Sequence, residues 1–135
     1  MINMFLLDTN IVSYWMRGDE TIISRLKDQK PSQLSLSTIT LAEILYGIEK
    51  SPVKKKLRRE RIEAICSQLD IFPFDKAAAY EYGKIRSILE KKGTPISERD
   101  LQIASIAVAN QFRIVTHNTK EFNRVPKLKV IDWMK

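Results

Sequence analysis

The sequence predicts an α/β sandwich in which helices flank a central, mostly parallel sheet. Short apolar runs suited to buried strands alternate with longer segments whose apolar residues recur at helical spacing. The length of 135 residues, of which 44% are hydrophobic, fits one domain covering 1–135 and allows a sizeable core. Both observations exclude a disordered chain and favour a globular one.

The first part of the chain predicts two strands separated by two helices. Residues 4–7 form a continuous apolar run, which is typical of a strand covered on both faces. Helical spacing of apolar residues begins at Ile11, and Asp19 opens a second short helix. Residues 33–37 then form a weaker strand pattern.

The middle of the chain predicts two helices and an edge strand. An apolar stripe runs through residues 40–50, and Pro52 breaks that helix. Residues 53–69 form a long, basic, amphipathic pattern. The run 71–74 contains Pro73, which cannot donate to a central ladder, so we expect this strand at a sheet edge.

The last part of the chain predicts two helices and two strands. Residues 75–92 have helical spacing and end before Gly93, whereas 97–110 are nearly all apolar and predict a buried helix. Short strands at 113–116 and 129–131 complete the sheet. Ligands bind beyond the carboxyl ends of such strands, so functional residues are expected at that edge.

Charge and cysteine content narrow the function classes. A net charge of +7 and a pI near 9.6 favour a polyanionic partner: nucleic acid, an anionic membrane surface or an acidic protein. One cysteine, Cys66, and one histidine, His117, exclude an internal disulfide and a Cys/His zinc site. Residues 1–7 lack the basic start of a signal peptide, and no apolar run is long enough to span a membrane. We therefore expect a cytoplasmic protein without membrane association.

Four polar residues are predicted to meet at the carboxyl edge of the sheet. Asp8 directly follows the first strand, and Asn118 comes two residues after the strand at 113–116. Glu43 and Asp100 are placed in the first turns of helices that would start at the same edge.

Each of these residues also has a purely structural interpretation. Asp8 or Asn10 would cap the first helix, and Asn118 would be a turn residue. An acid at a helix N-terminus contributes roughly 0.3–1 kcal/mol without any function. The spacing of a capping box fits two pairs, Thr40 with Glu43 and Ser97 with Asp100.

Taken together, the acids favour a metal site. Asp100 lies in the first turn of a helix that is apolar on nearly every side beyond it, so its carboxylate is expected to be partly buried, where it is costly and where neighbouring carboxylates repel it. A divalent cation relieves both problems, and oxygen ligands without Cys or His suit Mg²⁺ or Mn²⁺. Such a site can hydrolyse a phosphodiester, because the metal activates water and stabilises charge on the scissile phosphate.

Four segments, in their order along nearly the whole chain, resemble the PIN domain and in particular its VapC-like toxin branch. Each segment alone is modestly specific, and their combined order and spacing carry the resemblance. They are residues 5–10 (FLLDTN), 39–47 (ITLAEILYG), 94–104 (TPISERDLQIA) and 115–122 (VTHNTKEF).

The resemblance implies a PIN-like three-layer sandwich and a Mg²⁺-dependent endoribonuclease in which Mn²⁺ can substitute. Asp8, Glu43 and Asp100 match the recurrent acids that hold the metal, and Asn118 falls where many relatives carry a fourth acid. Asn10 and Thr116 match supporting residues, and Glu98 and Glu121 are candidate extra ligands. A homodimer is also implied, as is a cognate antitoxin whose C-terminal segment blocks the active-site groove.

Residues 54–61 carry six positive charges in eight positions. This pattern predicts either a face that binds RNA phosphates and steers the substrate to the acids, or an ordinary solvated helix face. His117, which lies beside Asn118 in the sequence, is interpreted as a local hydrogen-bonding residue rather than a general base. The candidate RNA-binding residues are Lys54, Lys55, Lys56, Arg58, Arg59 and Arg61.

Two other functions remain open from the sequence. An aspartate-nucleophile phosphatase would resemble a strand ending in Asp-x-Asp, but Asn10 stands at the third position after Asp8 and Thr9. A non-catalytic PIN-like domain that only binds RNA or protein would be marked by loss of the acids, and three are present.

Overall fold

Five parallel strands form the central sheet, in a computed structural model that describes residues 3–135. Residues 1 and 2, part of the segment in which a signal peptide was sought, lie outside the described residues. The strands are β1 (Phe5–Leu7), β2 (Leu34–Ser37), β3 (Asp70–Phe72), β4 (Arg113–Val115) and β5 (Lys129–Ile131).

The strand order β3-β2-β1-β4-β5 places β1 at the centre of the sheet. Phe5 pairs with Leu34 of β2 on one side and with Arg113 of β4 on the other. Strand β3 lies at an edge, as Pro73 predicted. Every strand pair within residues 3–135 is parallel, which confirms the predicted α/β architecture.

Seven helices of the described chain connect and cover these strands. The short helix α7 and a 3₁₀ turn at Pro31–Gln33 were not predicted, because they are too short to show a period. The basic helix is shorter at both ends than its pattern suggested. The helices are α1 (Thr9–Met16), α2 (Glu20–Lys27), α3 (Thr38–Lys50), α4 (Lys55–Cys66), α5 (Lys76–Lys91), α6 (Glu98–Ala109) and α7 (Thr119–Phe122).

The helices cover the two faces of the sheet in separate groups. Leu7 of β1 and Leu36 of β2 pack with α1 to α4, whereas Leu6 and Ile114 pack with α5 to α7. The alternation of side chains along β1 thus feeds two cores and produces the predicted three layers. Within residues 3–135, none of the helices combines the length and apolar content needed to cross a membrane.

The start of α3 differs from the prediction. Ser37, at the end of β2, caps this helix by accepting a hydrogen bond from the Thr40 backbone N–H at 3.0 Å. Thr40 is fully buried inside the helix, so the predicted capping box of Thr40 and Glu43 is wrong. Glu43 consequently lies in the second turn of α3 rather than in its first.

Candidate active site

The central strand carries Asp8 into the interior of the protein. The Asp8 backbone N–H donates to the Val115 carbonyl at 2.9 Å, which extends the pairing of β1 with β4 by one residue. The side chain is 4% exposed and accepts a hydrogen bond from Thr116 Oγ1 at 2.8 Å. The Asp8 carboxylate is therefore turned toward the segment after β4, although the residue directly precedes α1.

The segment after β4 links Asp8 to a second acid. Thr116 Oγ1, which donates to Asp8, accepts from the Asn118 backbone N–H at 2.9 Å. The Asn118 amide Nδ2 donates to Asp100 Oδ2 at 2.9 Å and to Glu121 Oε2 at 3.0 Å. Asn118 thus bridges two carboxylates and orients both.

The start of α6 directs Asp100 toward this network. Ser97 Oγ accepts from the Asp100 backbone N–H at 3.3 Å, which is one half of the predicted capping box. The other half is supplied by Glu121, whose Oε1 accepts from the Ser97 backbone N–H at 2.7 Å. Because Glu121 takes that place, the Asp100 side chain turns to Asn118 instead of back to its own helix.

The third acid, Glu43, reaches the site from α3. Its Oε1 accepts from Thr9 Oγ1 at 2.9 Å, and its Oε2 is paired with Arg99 Nη1 at 2.7 Å. Sequence reasoning missed both partners. Thr9 and Arg99 each stand next to a predicted acid in the chain, which was the one signal that could have found them.

The four predicted residues come together in one cavity. Asp8, Glu43, Asp100 and Asn118 line a space of about 410 Å³ at the carboxyl end of β1. The remaining lining residues are Thr9, Asn10, Ser13, Tyr14 and Arg17. Thr116, one of the predicted supporting residues, is fully buried behind Asp8. The other, Asn10, accepts from the His117 backbone N–H at 3.4 Å through its Oδ1.

Burial and neighbouring charges make the ionised forms of Asp8 and Asp100 costly. Burial raises the pKa of Asp8 above its ordinary value, and the charges of Glu43 and Glu121 add to that rise. Burial, a hydrogen bond with Glu121 and the charge of Asp8 raise the pKa of Asp100 to about 7. The pKa of Glu121 is lowered: burial opposes this, but hydrogen bonds from Asn118 and Ser97 outweigh it.

The donor chemistry of the cavity fits a hard divalent cation. Carboxylate oxygens that repel one another in a partly buried space are the ligands that Mg²⁺ and Mn²⁺ prefer. As the side chains stand within residues 3–135, no three acidic, histidine or cysteine side chains form a group that could hold a metal ion. The Glu43 carboxylate is held instead by Thr9 and Arg99, which set its rotamer.

One predicted extra ligand lies elsewhere. Both carboxylate oxygens of Glu98 accept from the Tyr82 hydroxyl, at 2.7 and 2.9 Å, and this contact faces α5 rather than the cavity. Glu121, the other predicted extra ligand, is part of the site through Asn118 and Ser97.

The predicted RNA-binding helix is largely occupied by contacts within the protein. The guanidinium of Arg58 donates to four backbone carbonyls around the end of α3, at Gly47, Ile48, Ser51 and Val53. Arg58 therefore satisfies carbonyl groups at the C-terminus of α3, and this structural role explains its position without RNA binding. Arg61 donates to the Met16 carbonyl at 2.8 Å, and both Lys55 and Arg59 are paired with Glu49.

Comparison with known proteins agrees with this architecture. The family profile of the PIN domain matches residues 5–128. A Rickettsia felis protein, "Ribonuclease VapC2", is 37% identical over 98% of this chain and 99% of its own length. A Salmonella typhimurium protein, "tRNA(fMet)-specific endonuclease VapC", is 34% identical over 96% of this chain and 97% of its own.

The solved structures show the same fold. VapBC2 from Rickettsia felis, solved with a DNA fragment from the promoter, superposes with a TM-score of 0.89 at 34% identity. That match covers 96% of this chain and 98% of the other. Together the sequence and structural matches confirm the resemblance to the VapC-like branch. The chain belongs to the PIN-domain family.

Proposed function

We propose that the protein is a metal-dependent endoribonuclease and the toxin of a toxin–antitoxin pair. The observation that carries this proposal is the acidic cavity. Asp8 is almost completely buried and shares the cavity with Asp100, and within residues 3–135 neither carboxylate has a cationic partner. Relatives that are named ribonucleases support the reaction class.

In the proposed mechanism Asp8 and Asp100 would hold Mg²⁺ or Mn²⁺, with Glu43 as the third ligand. When bound there, such an ion would supply an activated water and neutralise charge on the scissile phosphate. Thr116 fixes the Asp8 carboxylate through its hydroxyl, and Asn118 fixes Asp100 through its amide. These hydrogen bonds preorganise the ligands, which a metal site requires of the residues behind it.

A larger groove leads into the acidic cavity and supports an RNA substrate. This groove, of about 600 Å³, shares Thr9, Ser13, Arg17 and Glu43 with the cavity. Its basic lining attracts a polyanion toward carboxylates that would otherwise repel it. The basic residues that line it are Arg17, Lys54, Arg58, Arg61 and Arg99.

The same groove also supports an antitoxin partner. Met16, Ile44, Ile48 and Leu57 give it an apolar lining that suits a peptide segment. The solved relatives from Rickettsia felis and Salmonella typhimurium are VapBC complexes. We propose that an antitoxin segment covers the groove and thereby excludes RNA.

We also propose that the protein forms a homodimer, as the family resemblance implies. Sedimentation of the pure protein tests this.

Cleavage of RNA by the pure protein tests the proposed activity. Labelled total cellular RNA and initiator tRNA, chosen because of the Salmonella relative's name, would be incubated with Mn²⁺ or with EDTA. We expect cleavage only with Mn²⁺, and its loss in the Asp8→Asn/Asp100→Asn double variant. Asp75→Asn, which changes an acid outside the cavity, is the matched control.

The same preparations separate the alternatives. An ion that binds only the folded protein must raise its Tm, so Mn²⁺ should stabilise the wild type and not the double variant. RNA binding without Mn²⁺ stabilisation or cleavage would favour a non-catalytic binding domain. A covalent phosphate trapped on Asp8 would favour the phosphatase.

A further inference from the structure

Arg99 is a cation that contacts a candidate metal ligand. Its Nη1 lies 2.7 Å from Glu43 Oε2, and its side chain is 66% exposed. Among residues 3–135, Glu43 is the one hydrogen-bonding partner of this guanidinium. The contact uses a single nitrogen of a planar group that carries five N–H donors along its edges, so most of its donor capacity faces solvent.

The geometry of α6 separates Arg99 from its neighbour Asp100. Consecutive helical residues point about 100° apart around the axis. Asp100 faces Asn118 and the acidic cavity, whereas Arg99 faces Glu43 and lines the larger groove. Arg99 therefore stands where the basic groove meets the acids.

Contact with Arg99 conflicts with metal binding by Glu43. A positive charge against Oε2 repels a divalent cation and occupies an oxygen that the cation would need. The opposite carboxylate oxygen is held by Thr9, so Glu43 stays in place when Arg99 leaves. A guanidinium released at this position would face the groove, and its planar fork matches a phosphate better than any other side chain.

We propose that Arg99 changes partners as the site is loaded. Arg99 pairs with Glu43 Oε2 in the metal-free protein, and when that oxygen binds the metal, Arg99 binds an RNA phosphate beside the scissile one. This inference rests on the proposed ribonuclease function and assigns a substrate-binding residue to the same site. It makes an unusual demand: one substitution must strengthen metal binding and weaken RNA binding.

Arg99→Gln tests that demand directly. Mn²⁺ binding would be measured by calorimetry without RNA, and RNA binding by anisotropy of a short fluorescent RNA in Ca²⁺, with a gel to show that the RNA stays intact. We expect Mn²⁺ to bind about threefold more tightly or better, because a repelling charge is gone. We expect RNA to bind roughly three- to tenfold more weakly, with the salt dependence reduced by about one phosphate contact.

Two further variants control for charge and for geometry. Arg86→Gln makes the same charge change on α5, where Arg86 contacts Tyr82 and Glu90 away from the site, and should leave both affinities unchanged. Arg99→Lys keeps the charge without the fork, so it should restore the salt dependence but only part of the RNA affinity.

The outcomes are distinct. Unchanged Mn²⁺ affinity in Arg99→Gln would overturn the exchange, and parallel losses of Mn²⁺ and RNA affinity would make Arg99 a structural support of Glu43. In either case Mn²⁺-dependent cleavage by the wild type would leave the proposed function standing. A wild type that neither binds Mn²⁺ nor cleaves RNA would overturn both.

Discussion

Aspartate is used in opposite ways at the helix starts of this protein. Asp19 and Asp75 precede α2 and α5, and each accepts a hydrogen bond from the backbone N–H three residues ahead, at 3.1 and 3.0 Å. Asp8 occupies the same position before α1, yet its carboxylate accepts from Thr116, which is 108 residues away. Asp19 and Asp75 lie nearer the surface, whereas Asp8 is buried at the end of the central strand.

This difference separates acids that stabilise the fold from acids that oppose it. A capping carboxylate satisfies a helix end and stays in contact with water, so its charge costs little. A buried carboxylate beside other acids is destabilising until a ligand compensates it. Sites that carry such strain are where proteins exchange stability for activity.

The largest expected effect is on RNA cleavage when Asp8, rather than a capping aspartate, is changed. Asp8→Asn keeps the acceptor for Thr116 but removes a proposed metal ligand, so we expect Mn²⁺-dependent RNA cleavage to fall by at least about 100-fold. Asp75→Asn should cleave at the wild-type rate. Initial rates at saturating Mn²⁺ measure both, and an active Asp8→Asn protein would contradict the assignment of this acid.

A second prediction extends the comparison from acids to cations. Arg58 closes the end of α3 through four carbonyls, so Arg58→Gln should lower the free energy of unfolding by about 2 kcal/mol. Lys56→Gln, on the same helix, is exposed and should change it by less than about 0.5 kcal/mol. Urea unfolding separates the two, and equal stabilities would show that the carbonyl contacts contribute little.

A third prediction concerns a capping acid alone. Asp75→Ala removes the acceptor for the first turn of α5 and should cost about 1 kcal/mol of unfolding free energy. Cleavage well below the Tm should be unaffected, because Asp75 is outside the cavity. A loss of cleavage without a loss of stability would mean that capping and catalytic acids are not separate classes.

The smallest effect is a pH dependence of the metal-free protein. The pKa of Asp100 is raised to about 7, so the folded state binds this proton more tightly than the unfolded chain does. Ionisation of Asp100 therefore removes stability as the pH rises from about 4 through 7, and the loss is complete above that range. Asp100→Asn should abolish this loss and raise the Tm by about 2–4 °C near pH 8 in EDTA. Thermal melts across this range check it, and identical pH profiles for both proteins would contradict it.

The sequence predicted the parts of the site that follow from topology. Asp8 and Asn118 each follow a strand of a parallel sheet, and neighbouring parallel strands deliver such residues to one edge. Asp100 was found because it is an acid in the first turn of a nearly all-apolar helix. In each case one residue's position along an element was sufficient.

The parts that were missed depend on how one element meets another. Arg99 reaches Glu43 only because α6 lies beside α3, a relation that no local pattern contains. Arg58 looked like one member of a charged surface, since backbone carbonyls at the end of α3 leave no mark in the sequence. The family resemblance made Glu98 a candidate extra ligand, but its carboxylate accepts a hydrogen bond from Tyr82 on α5.

The central position of β1 has a consequence for the folding of the protein during its synthesis. Residues 5–7 leave the ribosome long before their partner strand β4, which begins at Arg113 and is followed by Thr116 and Asn118. Chains emerge N-terminus first, so the acidic cavity cannot close until Thr116 and Asn118 have been synthesised. A nascent or prematurely terminated chain that stops before Thr116 carries Asp8 and Glu43 without the residues that complete the site. Under the proposed function, nuclease activity therefore arises only after synthesis has passed Asn118.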